Sequence, residues 1–486
     1  MACVILVGLF VQYEFSYDKH HANINRIYQV HREIEMENAT MVSSQTSGPV
    51  APMLKNDFPE VELAARASLL DAWIQNLDSD QIFQQWVFTA DPEILKIFTI
   101  PFLSGQPETL EREGSIVLTE SMAHKYFGNS DPLGKTLKID HVELTGEYRV
   151  TGVVRDFPPN STFRFDCLTT TPKGRMAETW NQWRPTTSYR PYRTFVLLPE
   201  EYDYRDFERK LPDFMARYMG EDTRQNNRYV LEALSQAYLY RSRDLGQHFP
   251  GYGDIKQVYA FGLIATFILL LACINFMNLA TARSTKRARE VGLRKVVGAF
   301  RQQLIAQFLG ESLLMALIAL TTAVVTVELV LPYFNAFVQK DLTLHSTQNL
   351  WWLFALLGLG LCAGILAGSY PAFILSSFTP ALTIKSHRSP NAKHLWLRKG
   401  LVVFQFVSSI VFTISAIVVH QQLNYVHNKN LGFDRERVVR LDIFWKARQL
   451  YRDGERDLRV RYQAVKQSDS NAFCSGRAHH IKHFSS

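Results

Sequence analysis

Three long stretches of the 486-residue sequence contain no Asp, Glu, Lys or Arg: 26 residues from Gln257 to Ala282, 43 from Leu342 to Ile384 and 29 from Gly400 to Asn428. Each exceeds the roughly 20 residues that an α-helix needs to cross about 30 Å of hydrocarbon. A fourth segment, SLLMALIALTTAVVTVELVLPYF, is uncharged for 16 residues between Glu311 and Glu328. At 1.5 Å per residue these carboxylates lie about 25 Å apart, so both can sit near the membrane boundaries. The chain opens with MACVILVGLFV, which is apolar but about half a span long, and has neither the basic start nor the cleavage site of a signal peptide. It reads as a transmembrane helix whose beginning is missing.

The net charge of +7 would invite a nucleic-acid reading, but the charge is concentrated in two places. Residues 283–301 carry seven Lys or Arg against one Glu, and Lys385 to Lys399 carry five with no acidic residue. The remainder of the chain is net acidic. Both basic segments adjoin apolar spans, as expected of short loops kept in the cytoplasm. Spans two to five then run out, in, out and in by turns, and residues from about Tyr13 to Ile255 lie outside the cytoplasm. No nucleic-acid partner is expected, and the lipid bilayer is.

The outer segment reads as a folded α/β domain, a mixed sheet with helices packed on it in two lobes. In EYRVTGVVRDFPPN, Tyr148, Val150, Gly152 and Val154 alternate with Arg149, Thr151, Val153 and Arg155, the period of a half-buried strand. SIVLTESMAHKYFG predicts a strand to Thr119, which caps a helix ending at Gly128. RTFVLLP predicts a strand leading into one helix with Phe207, Leu211, Phe214, Met215 and Tyr218 on a single face.

Chemistry has little support. FGNSDPLGKT imitates a phosphate-binding loop, but five residues separate Gly128 from Gly134 where that loop has four, so it reads as a turn before the strand TLKID. The pairs His20-His21 and His479-His480 lack carboxylate or thiol partners at metal-ligand spacing and read as surface histidines. Cys3, Cys273 and Cys362 fall inside spans, and Cys167 stands alone in the outer domain. A disulfide framework is excluded.

Between spans two and three, Leu293, Val296, Val297, Phe300 and Leu304 recur at helical spacing while Arg294, Lys295 and Arg301 lie off that face. The segment is expected to be an amphipathic helix on the cytoplasmic surface. A lipid anchor would suffice for the cations. Glu290 among them, and Gly292 and Gly298, which weaken a helix by up to about 1 kcal/mol each, leave a protein partner equally open.

The motif RAREVGLRKVVGAFRQQLIAQFLGESLL resembles the signature of the FtsX/MacB-like ABC transporter permeases. FSYDKHHANINRIYQV, SIVLTESMAHKYFGNSDPLGKTL and YRVTGVVRDFPPNSTFRFD are similar to the MacB-type periplasmic core domain, and the second and fifth spans look like those of the duplicated Bacteroidetes forms. The likeness covers roughly residues 3–445. It implies an α-helical polytopic membrane protein of the bacterial inner membrane with a large α/β extracytoplasmic domain, in the periplasm, inserted between the first and second transmembrane helices. The expected order is a truncated first helix (1–12), the outer domain (13–255), span two (256–282), a coupling helix (283–303), span three (304–336), an outer loop (337–350), span four (351–376), a cytoplasmic linker (377–399), span five (400–421) and the start of a second outer domain (422–486).

By the same resemblance, Arg289, Glu290, Gly292, Leu293, Arg294, Lys295 and Gly298 would dock a separate cytoplasmic ABC ATPase. The chain itself would hold no cofactor and be no enzyme, ATP and Mg belonging to that subunit. Gly360, Gly364 and Gly368 form a smooth stripe for helix packing, either within the chain or against a second permease copy in a dimer. The implied action is mechanotransmission that exports a hydrophobic or amphipathic substrate such as a peptide, drug or lipoprotein, with a membrane-fusion protein outside. The alternatives are signalling to a cell-wall hydrolase or sensor without transport, and an inactive gene fragment. The half-length first span and the polar string after the fifth lead to the expectation of an interrupted reading frame, with a second outer domain and three further spans encoded downstream.

Overall fold

A computed structural model describes residues 1–36, 39–79, 81–141, 144–171, 192–220, 227–240, 253–344, 351–377 and 392–429. The expected basic linker and second outer domain fall mostly outside these. Among the described residues, four helices are long and apolar enough to cross a membrane, over Ile255–Ala280, Arg301–Val338, Leu353–Phe373 and Lys399–Asn428. A shorter apolar helix, α1 (Ala2–Phe15), precedes them. Between α1 and the first of the four lies the α/β domain, so the chain is an α-helical polytopic membrane protein carrying a large domain between its first two apolar helices.

The domain is built on one mixed sheet. Its strands are β1 (Ile27–Met36), β2 (Ala39–Ser43), β3 (Leu63–Asn76), β4 (Ile82–Ala90), β5 (Phe102–Gly105), β6 (Ser115–Thr119), β7 (Thr136–Asp140), β8 (Gly146–Val154), β9 (Cys167–Thr170), β10 (Arg193–Leu197) and β11 (Asn227–Ala233). The spatial order is β11-β1-β10-β3-β4-β9-β6-β8-β5, with β2 added beside β1 and β7 joining β3 to β8. Most pairings are antiparallel; β4 with β9 and β6 with β8 are parallel.

Helices cover the sheet in separate patches. On one flank α2 (Val50–Asp57), α5 (Tyr204–Glu208) and α6 (Leu211–Met219) bury Leu54, Phe207, Leu211, Phe214 and Met215 with Val30 and Tyr229. The expected single helix over these residues is two, broken after Glu208, and Pro212 starts the second because the first turn of a helix needs no proline N–H. On the other flank α4 (Glu120–Phe127) buries Met122, Ala123, Tyr126 and Phe127 against Ile74, Ile139 and Val150. Between them lies an aromatic core in which Phe98, next to α3 (Ile94–Ile97), stacks on Phe163 at 4.1 Å and meets Phe195 edge-on at 5.1 Å. The strand β11 continues into a single turn, α7 (Leu234–Ala237), packed on the same core.

Two local expectations need correction. Thr119 stands at the amino end of α4 but its side chain caps nothing; Asp156 accepts from the Ser121 backbone N–H at 3.0 Å and from the Ser121 hydroxyl. A cap supplied from another strand's end replaces the local one. His21 is buried, not a surface residue: its ring lies edge-on to Phe98 at 5.1 Å and its Nδ1 accepts from the Thr99 N–H at 3.2 Å. Burial pushes its pKa down to about 3, so it stays neutral. Its neighbour His20 is exposed.

The segment leaving α1 is tied to the domain through Asp18, a fully buried residue in the left-handed region at φ 59°. Its carboxylate accepts from the Thr162 N–H and hydroxyl, and its N–H donates to the Asn160 carbonyl at 3.0 Å. Asn160 in turn donates to the Ser16 hydroxyl at 2.8 Å. The phosphate-loop look-alike is a turn: the Gly134 N–H donates to the Val150 carbonyl at 2.8 Å, and Lys135 donates to the Ser130 hydroxyl at 2.7 Å.

The long helices are α8 (Ile255–Val296), α9 (Arg301–Val338), α10 (Trp351–Ser377) and α11 (Ala392–Asn428). Helix α1 packs Ile5 and Leu9 against Leu320, Ala323, Val327 and Leu331 of α9, and its Phe10 meets Phe261 of α8 edge-on at 5.5 Å. The glycine stripe of α10 faces α9. A Cβ at Gly360 would approach Leu320, one at Gly364 would approach Leu313 and Ala316, and one at Gly368 would come within 2.5 Å of the Ser312 Cβ. The two backbones come close because the glycines leave nothing between them.

Candidate coupling site

The basic segment after span two does not begin a new helix. α8 continues unbroken through it to Val296, and the chain turns at 297–300 before α9 starts. Arg, Lys and Ala make up half of residues 281–296, and extending an existing helix through such residues is far easier than nucleating a second one. The turn occurs where Gly298 takes φ +103°, a conformation that side-chain-bearing residues rarely adopt, with no atom within 4 Å of where its Cβ would be. Gly298 is therefore needed for backbone conformation.

The break also divides the expected apolar face. Leu304, on α9, is buried with Val291, Phe308 and Ala372. Leu293, Val296, Val297 and Phe300 remain exposed, at 58%, 62%, 85% and 73%. Four large apolar side chains thus stand exposed within eight residues, at the end of α8 and in the turn that follows it.

The described charged side chains around these residues are bonded within the chain. The Arg294 guanidinium donates to Glu290 at 2.7 Å, one helical turn back, and to the Gln307 side-chain oxygen at 2.6 Å, on α9. Glu290 thus orients the arginine that bridges the two helices. Lys295 donates from its ammonium to the Ser376 carbonyl at 2.6 Å, and the Arg301 guanidinium donates to the Ser376 hydroxyl at 3.4 Å. Two cations at the carboxyl end of α10 satisfy helix-terminal acceptors and complement the negative end of its dipole. The backbone of α8 alone places Arg289 and Gly292.

These contacts set the direction of α8. It touches α10 at Cys273 beside Ala363 and again at Lys295 beside Ser376. Those points are about 33 Å apart in helical rise on α8 but only about 20 Å apart on α10. A lysine side chain does not span the difference, so α8 does not run straight and parallel to α10 between the two contacts.

Two family models match the chain: the MacB-like periplasmic core domain over residues 1–213 and the FtsX-like permease C-terminal region over residues 262–380. The second contains the whole turn and its braces. The chain belongs to the FtsX/MacB-like ABC transporter permeases. Among curated relatives of this permease, a macrolide export ATP-binding/permease protein MacB from Rhodopirellula baltica is 24% identical over 294 residues, covering 57% of this chain and 41% of that protein. An uncharacterized ABC transporter permease, YknZ of Bacillus subtilis, is 36% identical over 81 residues, covering 16% of this chain and 20% of the other. The chain thus spans about two fifths or less of the length of these relatives. Similar solved structures include a domain of a permease protein from Porphyromonas gingivalis (25% identical, TM-score 0.37, covering 44% of this chain and 92% of that one). Another is the periplasmic region of MacB from Actinobacillus actinomycetemcomitans (11%, 0.31, 43% and 90%).

Within the permease, the sequence motif located the turn but not its braces. Gln307 and Ser376 carry no signal of their own, being an ordinary polar residue on a helix and a serine at a helix end. The described residues hold no cluster of three or more His, Cys, Asp or Glu side chains that could bind a metal.

Proposed function

We propose that this chain is the permease subunit of an ABC-type complex, in which ATP hydrolysis by a separate cytoplasmic ATPase moves the turn between α8 and α9. The spans carry that motion to the outer domain, which would drive export of a hydrophobic or amphipathic substrate from a bacterial inner membrane. A second permease copy would complete a dimer. The reading rests on the exposed patch of Leu293, Val296, Val297 and Phe300 at the end of a helix braced to two others. An ATPase that docked there would push on α8, α9 and α10 together, because Arg294 and Lys295 tie the turn to both neighbours. Among the described cations of this segment, Arg294, Lys295 and Arg301 are bonded within the chain, which leaves these three less free to face lipid headgroups.

The test is co-purification of an ABC ATPase with the full chain from its native membrane, comparing wild type with Val297→Glu and Phe300→Glu. Loss of the ATPase from both variants, at equal permease levels in the membrane, supports docking. Equal recovery with both rejects it.

A further inference from the structure

A second joint lies at the opposite end of the spans, where four parts of the chain meet around Lys340. Helix α1 ends with Tyr13 and Glu14, followed by Tyr17. Tyr238 follows α7, and Gly253 lies just before α8. Lys340 follows α9 directly. Its position is set locally: Gln339 takes the left-handed conformation at φ 53°, the Lys340 N–H donates to the Asn335 carbonyl at 3.2 Å, and the Asn335 side chain exchanges hydrogen bonds with the backbone of Leu342 at 2.9 and 3.3 Å. The turn is pinned to the helix that it ends.

The Lys340 ammonium donates to the Tyr238 hydroxyl at 2.9 Å and to the Tyr17 hydroxyl at 3.1 Å, and lies 3.4 Å from a Glu14 carboxylate oxygen. It also lies 5.2–5.4 Å from the ring centres of Tyr13, Tyr17 and Tyr238, within cation–π range. Tyr17 and Tyr238 stack nearly parallel, and Tyr238 donates its hydroxyl to Glu14 at 2.9 Å. Burial, with the Tyr17 hydroxyl and the Glu14 carboxylate beside it, holds the Tyr238 hydroxyl above its usual pKa, so it remains a donor. Glu14 is 3% exposed, too deep for a carboxylate without a cation against it. Gly253 admits the fourth strand of chain: a Cβ there would fall 2.6 Å from Tyr238 and 2.8 Å from Glu14.

Buried charge is a poor source of stability but a strong constraint on geometry, since each partner loses most if the others shift. Apolar packing alone would let the outer domain tilt on the ends of the helices at little cost. We infer that Lys340, Glu14, Tyr17 and Tyr238 form a clamp that fixes the base of the outer domain to the outer ends of α1 and α9, so that these move as one body. The clamp rests on the coupling reading for its use. It gives motion imposed at the cytoplasmic turn a stiff route to the domain through α9, leaving α10 outside the joint. The four are positioning residues: none need touch substrate.

The test places spin labels at Glu108 on the domain and Leu329 on α9, both exposed, in full-length chain with Cys3, Cys362 and Cys474 replaced by Ser, reconstituted in lipid nanodiscs. Distance distributions from pulsed electron resonance are then compared. Wild type should give one narrow population. Lys340→Met and Tyr238→Phe should broaden it about twofold or split it, and Lys340→Arg, which keeps the cation, should restore it. Gly253→Ala tests the same joint without removing a charge and should also broaden it. Wild-type widths in Lys340→Met and Tyr238→Phe overturn the clamp, as does equal broadening by Lys340→Arg. Should Lys340→Met fail to reach the membrane folded, Tyr238→Phe, which loses only a hydroxyl, decides alone. No ATPase is present, so failure of ATPase docking sinks the coupling reading without touching these widths.

Discussion

Asp18 accepts two hydrogen bonds from Thr162, one from its backbone N–H at 2.7 Å and one from its hydroxyl at 2.6 Å. The two residues belong to the two motifs that open and close the first half of the outer domain, and together they fasten the exit of α1 to the sheet. Burial outweighs these bonds and pushes the Asp18 pKa up to about 6 from 3.8. The folded chain therefore holds this proton more tightly than the unfolded chain. Its contribution is complete below about pH 4 and is lost as pH rises through about 6, a change of up to about 3 kcal/mol. His21, with its lowered pKa, works in the opposite sense, its contribution being complete above 6.5 and lost toward about 3. Asp18→Asn isolates the first effect, since Asn tolerates positive φ and still accepts from Thr162. Thermal unfolding of the full chain in detergent should show the variant gaining on wild type between pH 4 and 7. A constant difference across that range would reject the assignment.

The glycines of α10 should respond to alanine in a graded order. Gly368→Ala brings a methyl within 2.5 Å of the Ser312 Cβ, whereas Gly360→Ala meets only the far end of Leu320 at 3.0 Å, and Gly358→Ala meets nothing within 4 Å. Overpacking of the first kind costs about 1–3 kcal/mol. Melting in detergent should fall most for Gly368→Ala, less for Gly360→Ala and not at all for Gly358→Ala. The same loss at all three positions would mean that the stripe is not read by α9.

At the turn between α8 and α9, Glu290→Gln should act through Arg294. Removing the carboxylate loosens the guanidinium that reaches Gln307, but an exposed pair of this type contributes at most about 0.5 kcal/mol, so melting should barely change. ATPase association should weaken several-fold if the orientation of the turn matters, and Gln307→Leu should reproduce the effect from the other side. A normal complex in both variants would leave the Arg294 bridge without a role in coupling.

In the outer domain, Arg66 and Asp91 form a largely buried pair at 3.1 Å, with Arg66 also donating to the Gly48 carbonyl at 2.8 Å and Asp91 accepting from the Arg66 N–H at 3.0 Å. Asp91→Ala strands the guanidinium beside β3 and should cost about 3–5 kcal/mol. Chemical denaturation monitored by tryptophan fluorescence measures it. A loss below about 1 kcal/mol would mean that water reaches Arg66 freely.

Which segments are long and apolar enough to span a membrane is legible along the chain, since a helix of some 20 uncharged residues buries its apolar surface and satisfies its backbone in hydrocarbon. The sequence also located the strands with clear alternation, such as β8, and the turn at Gly134. The roles of the polar residues emerge only from packing, because their partners are far away in the chain. Ser376 lies 81 residues from Lys295, Thr162 lies 144 from Asp18, and Lys340 lies 323 from Tyr17. Asp156 rather than Thr119 caps α4 because a strand end happens to bring its carboxylate over the helix, which local spacing cannot reveal. The amphipathic face from Leu293 to Leu304 was misleading for a related reason: periodicity assumes an unbroken helix, and the positive φ of Gly298 ended it between Val296 and Arg301. Hydrophobic length is a sum over neighbours along the chain, and the sequence holds it completely. Hydrogen bonding and charge pairing depend on directions in space, and those exist only once the spans and the sheet have packed.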